Sequence, residues 1–417
     1  MTLPLLVAAV DRSQVPLYVL GGTVFVALIV WVFIAAIRGT RKANAELALL
    51  ERELGLRRDG EESWRGEVDG LGLAIAWVRQ KSSKKSASIY ELHVTITGLP
   101  REVHLGAEGF VARLTKRDLD QVHGLDIPIG DPTFDGAVKV KGDASAALAL
   151  LDAETRDALR QAVADGWILA DGAWRHVSHG VSSVYEHVKR GLELARLVRS
   201  ASGDVPARLA ARAVDEPLPG VRGRALELLL AEHRHAPTSA PAFEAATMDV
   251  PENRLIVARG LPDLASLLAL ARGDRQPESI RVGALDALVE RVADVMGEGR
   301  ASTVALVEGW MTSATPALRR AAARALGRLP TENAEALLVA ALADTDDDVQ
   351  LEAVRALGAI GTVAAVPALV PLRERLLGSE LKSAAQAATL AIRARSRAEA
   401  GALALAEDAG ALALAED

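Results

Sequence analysis

The sequence predicts a mainly α-helical chain with a single transmembrane helix, a small α+β middle domain and a C-terminal α-solenoid of about six helical pairs. Three observations carry this prediction: an uncharged apolar run near the N-terminus, a change from period-two to helical spacing in the middle, and a recurring C-terminal motif. The 417 residues suffice for several domains. The predicted order is a tail over 1–15, the transmembrane helix over 16–38, a juxtamembrane stalk over 39–66, the α+β domain over 67–200, the solenoid over 205–396 and a low-complexity tail over 397–417.

The composition narrows the classes of function. Hydrophobic residues make up 50% of the chain but aromatic residues only 3%, so Ala, Leu and Val supply the packing, as suits closely spaced helices. The net charge of -7 argues against a partner nucleic acid. The absence of cysteine excludes disulfides and thiolate metal sites. No cofactor is expected, and no P-loop, dinucleotide turn, G-x-S-x-G elbow or His-Glu-x-x-His motif indicates an enzyme.

The apolar run is Leu17–Ile37, which holds no charged residue. A bilayer core of about 30 Å needs roughly 20 apolar residues in a helix. Tyr18 lies near one end and Trp31 near the other, where interfacial aromatic residues are common. A cleaved signal peptide and a buried core helix are the alternatives. A signal peptide is disfavoured because only Arg12 precedes the run as a basic residue, and the residues that follow make a poor cleavage site. The run therefore predicts a spanning helix.

Basic residues set the predicted orientation. Arg38, Arg41 and Lys42 follow the run closely, and positive flanks stay on the cytoplasmic side. The sequence thus predicts a single-pass membrane protein with the N-terminus outside and the C-terminal bulk in the cytoplasm. These three residues are also predicted to contact the lipid bilayer surface, because anionic headgroups attract basic clusters. A basic hairpin tip completes the predicted membrane-surface contacts with Lys81, Lys84 and Lys85.

The stalk and the middle domain show distinct periods. Ala43–Arg58 has leucines at helical spacing and predicts a short amphipathic helix, and the polar stretch Arg57–Gly66 predicts a boundary. Ile89–Thr97 alternates β-branched residues and predicts a strand, and Asp171-Gly172 predicts a hairpin turn. Further strands are predicted over Leu73–Val78, Val103–Leu105, Phe110–Leu114, Ala137–Val140, Trp167–Leu169 and Ala173–Val177, and helices over Ser145–Leu151, Thr155–Ala164 (capped by Asp152) and Ser182–Val198.

One stretch of the middle domain has a distinctive sequence. Ile129–Asp143 reads IGDPTFDGAVKVKGD, and Ala147–Leu151 reads ALALL, followed by a helix and a short hairpin. These segments resemble a module of uncharacterised bacterial membrane-associated proteins, and the resemblance implies no known activity. Within the stretch, Asp131-Pro132 predicts a turn, and Phe134 is predicted to fill the core beneath it.

A motif recurs through the C-terminal half of the chain. It reads VRGRALELL at Val221, IRVGALDALV at Ile280, LRRAAARALG at Leu318, VQLEAVRALG at Val349 and LKSAAQAATL at Leu381, with a weaker NRLIVARGL at Asn253. A helix–turn–helix unit with ALG in its second helix resembles HEAT repeats, including the short phycobilisome-lyase type. The resemblance implies stacked helical pairs that present a surface to an unknown protein partner. A compact helical bundle is the alternative, and pigment-lyase chemistry does not follow from the fold.

Arginines recur on the predicted second helices of these units. On the concave side they would form a groove for an acidic partner, whereas a solvated, salt-bridged face is the alternative. The predicted partner-binding residues are Arg281, Arg319, Arg320, Arg324, Arg328 and Arg355.

No metal site is predicted. The acidic turn Asp344–Asp348 lacks the glycine and the glutamate of a calcium loop and is interpreted as a helix cap. His176, His179 and His187 are close in sequence, but no carboxylate or thiol completes a recognisable ligand set.

Three functions stay open at this point. The favoured hypothesis is a membrane-anchored scaffold or adaptor that binds a cytoplasmic protein through the repeat surface. The alternatives are a membrane-surface or envelope organiser that binds anionic lipid, and an enzyme accessory with its site in the middle domain. A homo-oligomer is a further option. The duplicated tail, AGALALAED at Ala400–Asp408 and again at Ala409–Asp417, predicts a frayed helix or disorder without a site.

Overall fold

The chain separates into two units, each described by itself. The computed structural model describes residues 42, 45–81, 88–108, 125–178, 183–292, 297–374 and 379–414. Unit 1 ends at Arg212, and unit 2 begins at Ala213.

Unit 1 is built on a sheet in which the described strands follow the order β1-β2-β3-β4-β8-β7-β5-β6. Each pair of neighbouring strands is antiparallel. Short connections link β2 to β3 and β7 to β8, as antiparallel neighbours allow, whereas a long segment that contains the helix Pro132–Ala137 separates β5 from β6. The strands are Arg57–Arg58 (β1), Ser63–Val68 (β2), Leu71–Lys81 (β3), Ser88–Thr97 (β4), Val103–Gly106 (β5), Lys139–Gly142 (β6), Ile168–Ala170 (β7) and Ala173–Ser178 (β8).

Helices cover the buried face of this sheet. Gly191 lies so close to Trp167 and Ile96 that an added Cβ would lie 2.4 Å from the Trp167 ring, so the last helix of the unit presses directly on the sheet. Leu92, Val94 and Ile96 of β4 are buried, as the period-two prediction required. The helices are 45–54 (α1), Pro132–Ala137 (α2), Ala144–Leu150 (α3), Ala153–Ala164 (α4) and Val184–Ala201 (α5), and Val205–Asp215 (α6) crosses into unit 2.

Two local predictions are confirmed at single-residue level. Asp171 and Gly172 have φ values of 49° and 66°, and they join the paired residues Ala170 and Ala173. Positive φ at both central residues is the signature of a type I′ hairpin turn. The Asp152 carboxylate accepts the backbone N–H of Thr155 at 2.8 Å and caps α4, because the first N–H groups of a helix lack internal partners.

The helix predicted as a stalk packs into unit 1. Leu47 and Leu50 of α1 are 2% and 0% exposed. The Glu46 carboxylate accepts the backbone N–H of Val184 at 2.7 Å, so that it caps the start of α5. The polar stretch predicted as a boundary, Arg57–Gly66, forms β1 and part of β2 instead, since an edge of an antiparallel sheet accepts polar residues.

The Asp131-Pro132 step begins helix α2 rather than a turn. The Asp131 carboxylate accepts the backbone N–H groups of Thr133 and Phe134, at 3.0 and 3.1 Å. Proline is well suited to the first helical position, where its missing N–H costs nothing. Phe134 is 1% exposed, which confirms its predicted place in the core.

The structure contradicts the predicted membrane-spanning helix. Among the residues that it describes, no helix combines the length and apolar character needed to cross a bilayer. The segment 16–38 lies outside those residues. Even the longest described helix, Ser379–Leu414, is not continuously apolar. It contains the charged residues Glu380, Lys382, Arg393, Arg395 and Arg397. The single-pass localisation and its orientation, which depended on that helix, are corrected accordingly.

Unit 2 is a succession of helix–turn–helix pairs. Its first helices are Ser239–Ala246 (α8), Leu264–Arg272 (α10), Glu298–Trp310 (α12), Ala334–Ala341 (α14) and Val366–Arg373 (α16), the last preceded by a 3-10 turn at Val363–Ala365. Its second helices are Pro251–Gly260 (α9), Glu278–Val292 (α11), Pro316–Leu326 (α13), Asp347–Ile360 (α15) and Ser379–Leu414 (α17), and Pro219–Glu232 (α7) precedes them in the same role. One continuous apolar core runs from Leu255 to Ile392. Each pair therefore buries the apolar face that its neighbour cannot bury alone.

Small residues let the second helices approach closely, which explains the recurring ALG motif. A Cβ added to Gly327, at the end of α13, would lie 3.0 Å from the Cα of Ala356 in α15. A Cβ added to Gly358 would lie 3.2 Å from the Cα of Ala388 in α17. These distances are shorter than ordinary contacts between carbon atoms, so larger residues would separate the helices.

An arginine near the start of two second helices ties each one to the next pair. Arg319 Nε and Nη2 donate to the two carboxylate oxygens of Asp344, both at 2.7 Å, and its Nη1 donates to the carbonyls of Ser313 and Ala314. These hydrogen bonds hold the pKa of the Asp344 carboxyl below its ordinary value. The guanidinium thus donates hydrogen bonds both to the turn of its own helical pair and to a carboxylate of the following helical pair.

Arg222 repeats this arrangement three pairs earlier in the chain. It donates from Nε and Nη2 to Asp249 and from Nη1 to the carbonyls of Glu216 and Pro217. Its hydrogen bonds lower the pKa of Asp249 to about 2. We call these two contacts, Arg222 with Asp249 and Arg319 with Asp344, the arginine staples.

The staple at Arg319 is expected to matter for stability. Arg319→Ala should lower the free energy of unfolding by about 2–3 kcal/mol, because it removes the charged partner of Asp344 and the donor of two turn carbonyls. The matched control is Arg320→Ala, whose side chain is 45% exposed and pairs with an Asp348 that is 66% exposed. The control should cost less than about 1 kcal/mol. Urea unfolding of the two variants measures the difference, and equal losses would contradict a structural role for the staple.

The close approach at Gly327 gives a second stability prediction. Gly327→Leu should lower the free energy of unfolding by about 1–3 kcal/mol, because the side chain meets the α15 backbone, which cannot move aside. Gly309→Leu in α12 is the control, since that glycine has no atom within 4 Å of its added Cβ. Thermal unfolding followed by circular dichroism compares the two. A control as destabilised as Gly327→Leu would show that general helix effects dominate.

Candidate protein-binding surface

The second helices present charged residues at one repeated position. Arg259, Asp286, Arg324 and Arg355 each lie eight residues after the first residue of their helix. Because the helices stack in register, equivalent positions of successive pairs fall along one line of the array. Arg324 Nη2 donates to Asp286 Oδ1 at 2.8 Å, which links α13 to α11 along this line.

A basic cleft opens beside this line. Its volume is about 460 Å³, and it is lined by Arg259, Asp286, Ala287, Glu290, Arg291, Arg324 and Arg328. We call these residues the basic cleft. The lining contains four arginines and two carboxylates, so positive charge is in excess. A cleft with an excess of one sign of charge concentrates partners of the opposite sign.

Contacts within the protein hold most of these arginines in place. Arg259 Nη2 donates to the carbonyl of Gly283 at 2.9 Å. Arg291 Nη2 donates to the carbonyl of Arg259, while its Nη1 is buried without a hydrogen-bond partner. Arg328 is exposed, and within the described part of the chain its side chain has no ion pair. The exposed guanidinium of Arg328 therefore keeps its N–H donors available for an acceptor from outside.

The structure divides the six predicted partner-binding arginines. It brings Arg324 and Arg328 together in the basic cleft. Arg319 belongs to an arginine staple, and Arg281 pairs with Asp274 and lies 5.3 Å from the centre of the Trp310 ring. The remaining two form exposed ion pairs, Arg320 with Asp348 at 3.0 Å and Arg355 with Glu380 at 2.8 Å.

Sequence reasoning missed four charged members of the cleft. Arg259, Asp286, Glu290 and Arg291 lie in the units that match the repeat motif less well. The available signal was the spacing from the start of each second helix, which places Arg259 and Asp286 in register with Arg324. The prediction instead used arginines that recur along the second helices, and position in the sequence does not show which way a side chain points.

Two of the six predicted membrane-surface residues lie in the described part of the chain. Lys42 pairs with Glu46 at 3.7 Å, and Lys81 ends strand β3. Arg38, Arg41, Lys84 and Lys85 lie outside the described residues.

Unit 1 contains a pair of hydrogen-bonded histidines. His187 Nε2 lies 2.8 Å from His176 Nδ1, and His176 Nε2 lies 2.9 Å from the carbonyl of Asp165. Because a carbonyl only accepts, His176 carries its proton on Nε2, and His187 must then donate from Nε2 to His176 Nδ1. The Trp167 ring stacks on His187 with centres 5.1 Å apart. In their neutral forms the two imidazoles therefore each have one defined tautomer.

The histidine pair does not form a metal centre with other ligands in the described chain. Within those residues, no group of three His, Cys, Asp or Glu side chains is placed to hold a metal ion. His179 lies outside them. Burial lowers the pKa of His187 to about 4, helped by the neighbouring His176 and Arg190, and burial also lowers the pKa of His176.

These lowered pKa values predict acid sensitivity of unit 1. In the unfolded chain a histidine takes up a proton near its ordinary pKa of 6.5, whereas folded His187 does so only near 4. The unfolded state therefore binds more protons between these two values, and the free energy of unfolding falls as pH falls through them. Because water reaches part of the His187 ring, we expect a loss of roughly 1–2 kcal/mol.

Urea unfolding at a series of pH values between 4 and 7, followed by tryptophan fluorescence of unit 1, tests this expectation. His187→Gln should flatten the pH dependence, although it lowers stability at neutral pH by removing the contact with Trp167. His235→Gln, an exposed histidine of unit 2, is the control and should keep the dependence of the parent protein. An unchanged slope in His187→Gln would assign the acid sensitivity to other groups.

Comparison with known proteins agrees with the helical pairs of unit 2. A family model described as HEAT repeats matches residues 303–392, from α12 into α17. Similar solved structures include human deoxyhypusine hydroxylase in complex with glycerol, at 20% identity and a TM-score of 0.27, covering 48% of this chain and 78% of that chain. An engineered protein is similar at 19% identity and a TM-score of 0.28, covering 60% of this chain and 68% of that chain. No curated protein matches the sequence. The helical pairs over residues 303–392 are thus HEAT-like repeats.

Proposed function

We propose that this protein is an interaction scaffold whose HEAT-like array binds an acidic segment of a partner protein in the basic cleft. The observation that carries the proposal is the excess of arginine in that cleft, where Arg328 is exposed and forms no ion pair with a described residue. A stacked helical array offers an extended surface, which suits protein partners.

The fixed arginines favour carboxylates as the recognised groups. A guanidinium presents its N–H donors in a planar fork that matches both oxygens of a carboxylate. Asp286 holds Arg324 from one side, and backbone carbonyls hold Arg259 and Arg291, so little side-chain freedom remains to be lost on binding. Arg328 is unrestrained and can adjust to the partner. Asp286 and Glu290 would repel acidic residues placed in the wrong register, which adds selectivity.

Affinity purification with the tagged full-length chain, cross-linked before lysis, tests the proposal. Arg259→Glu/Arg328→Glu reverses two charges of the cleft, and Arg328→Glu alone changes a side chain that makes no internal ion pair. Arg272→Glu/Arg275→Glu is the matched control, because both arginines are exposed in unit 2 but do not line the cleft. A partner that depends on the cleft should be recovered about tenfold less with the double cleft variant and unchanged with the control.

The acidic nature of the partner is tested separately. Recovery should fall as salt is raised, because screening weakens interactions between exposed charges. Replacing the acidic residues of a recovered partner with their amides should abolish recovery by the parent protein. Partners recovered equally by the cleft variants and the control would remove the cleft from the proposal.

A further inference from the structure

A second cavity lies among three consecutive helices of unit 2, outside the basic cleft. Its volume is about 570 Å³, a size typical of sites for small molecules. Helix α8 contributes Ala240 and Phe243, α9 contributes Val257 and Leu261, and α10 contributes residues that include Ala269. On α8 and α9 the lining residues recur every three to four positions, so each helix gives one continuous face to the cavity. We call this space the three-helix cavity.

Two arginines line the three-helix cavity, Arg234 and Arg254, of which Arg254 lies in the first turn of α9. It lies three residues after the first residue of α9, the position that Arg222 and Arg319 hold in α7 and α13. Those two arginines form staples with an aspartate of the turn before the next second helix. The corresponding turn before α11 contains Asp274, but that carboxylate pairs with Arg281.

Arg254 therefore lacks the internal acid that its equivalents have. Among the described residues, its side chain forms no hydrogen bond or ion pair. The helix also directs it into the cavity, one turn before Val257 and two turns before Leu261 on the same face. A guanidinium with free donors beside an apolar wall is complementary to a carboxylate attached to an apolar body.

The acids that line the cavity do not replace the missing partner. Asp263 accepts the backbone N–H of Ala265 and Ser266 as the cap of α10, and these contacts together with the Ser266 hydroxyl lower its pKa. It follows the C-terminal end of α9, whereas Arg254 lies in the first turn at the opposite end of that helix. Glu244 is exposed and forms no ion pair with a described residue.

We propose that the three-helix cavity binds a small amphipathic carboxylate, with its carboxylate on Arg254 and its apolar body against Phe243, Val257 and Leu261. The roughly 10 Å from Arg254 to Leu261 matches an extended chain of about eight to ten carbons. The apolar body is held by burial from water, and Arg254 selects the charged head group over a neutral one. This site is separate from the basic cleft and does not depend on the scaffold proposal.

Decanoate and decanol are suitable probes, because they share a chain and differ in the charge of the head group. Isothermal titration of the full chain should show saturable binding of decanoate at one site, about tenfold tighter than decanol. Arg254→Gln should weaken decanoate about tenfold and leave decanol unchanged, since only the charged contact is removed. Arg275→Gln, an exposed arginine outside the cavity, is the matched control and should bind both probes like the parent protein.

A second variant tests the cavity itself. Ala269 is exposed at the cavity wall, so Ala269→Phe fills the space without entering the core. It should weaken both probes, whereas Arg254→Gln affects only decanoate. The proposal is overturned if the parent protein shows no saturable decanoate binding, if decanol binds as tightly as decanoate, or if Arg254→Gln binds decanoate like Arg275→Gln.

Discussion

Close contact between neighbouring second helices is the constraint on which the HEAT-like array depends. The helices that precede α17 have 8 to 15 residues, a length at which an isolated helix is marginal in water. Their stability must come from packing, and packing requires the small residues that allow Gly327 to meet Ala356 and Gly358 to meet Ala388. The apolar core that results is continuous from pair to pair, so no single pair could keep its structure alone.

The same stacking decides what the arginines do. When two pairs stack, an arginine near the start of one second helix reaches the turn before the next, and an aspartate there completes a staple, as at Arg222 and Arg319. Where no unpaired aspartate follows, the arginine at that position forms no staple. Arg254 is such an arginine, and its side chain lines the three-helix cavity instead. Residues further along the second helices lie beyond the staples, and there the basic cleft forms. The staple arginines therefore differ from Arg254 in having an aspartate within reach, and from the arginines of the basic cleft in their position within the repeat.

Unit 1 follows a different physical logic. Its antiparallel sheet buries one face under helices. Helix α1 packs into unit 1 because Leu47 and Leu50 are buried there, and Glu46 caps α5. The histidine pair lies beside Trp167, where burial keeps both rings neutral at physiological pH. Such a pair stabilises the neutral protein and makes the unit sensitive to acid, a property that no single histidine at the surface would confer.

Much of the local structure was readable from the sequence because it depends on neighbours along the chain. The type I′ turn at Asp171-Gly172, the Asp152 cap, strand β4 and the helical repeats each follow from residue types within one helical turn or one hairpin. The candidate sites were only partly readable. Arg324 and Arg328 were among the predicted partner-binding residues, but Arg259 and Arg291 were not, since nothing local shows which face of a helix a stacked neighbour will cover.

The sequence by itself determined the helical period, the positions of turns and caps, and the presence of HEAT-like units. Those features arise from backbone preferences and side-chain periodicity over a few residues. Only the tertiary structure decided that Arg319 forms an ion pair with Asp344, 25 residues away, and that Arg254 forms none with a described residue. An ion pair across a repeat junction forms only when stacking brings both groups within hydrogen-bond distance, and that geometry is a property of the packed array rather than of any one segment.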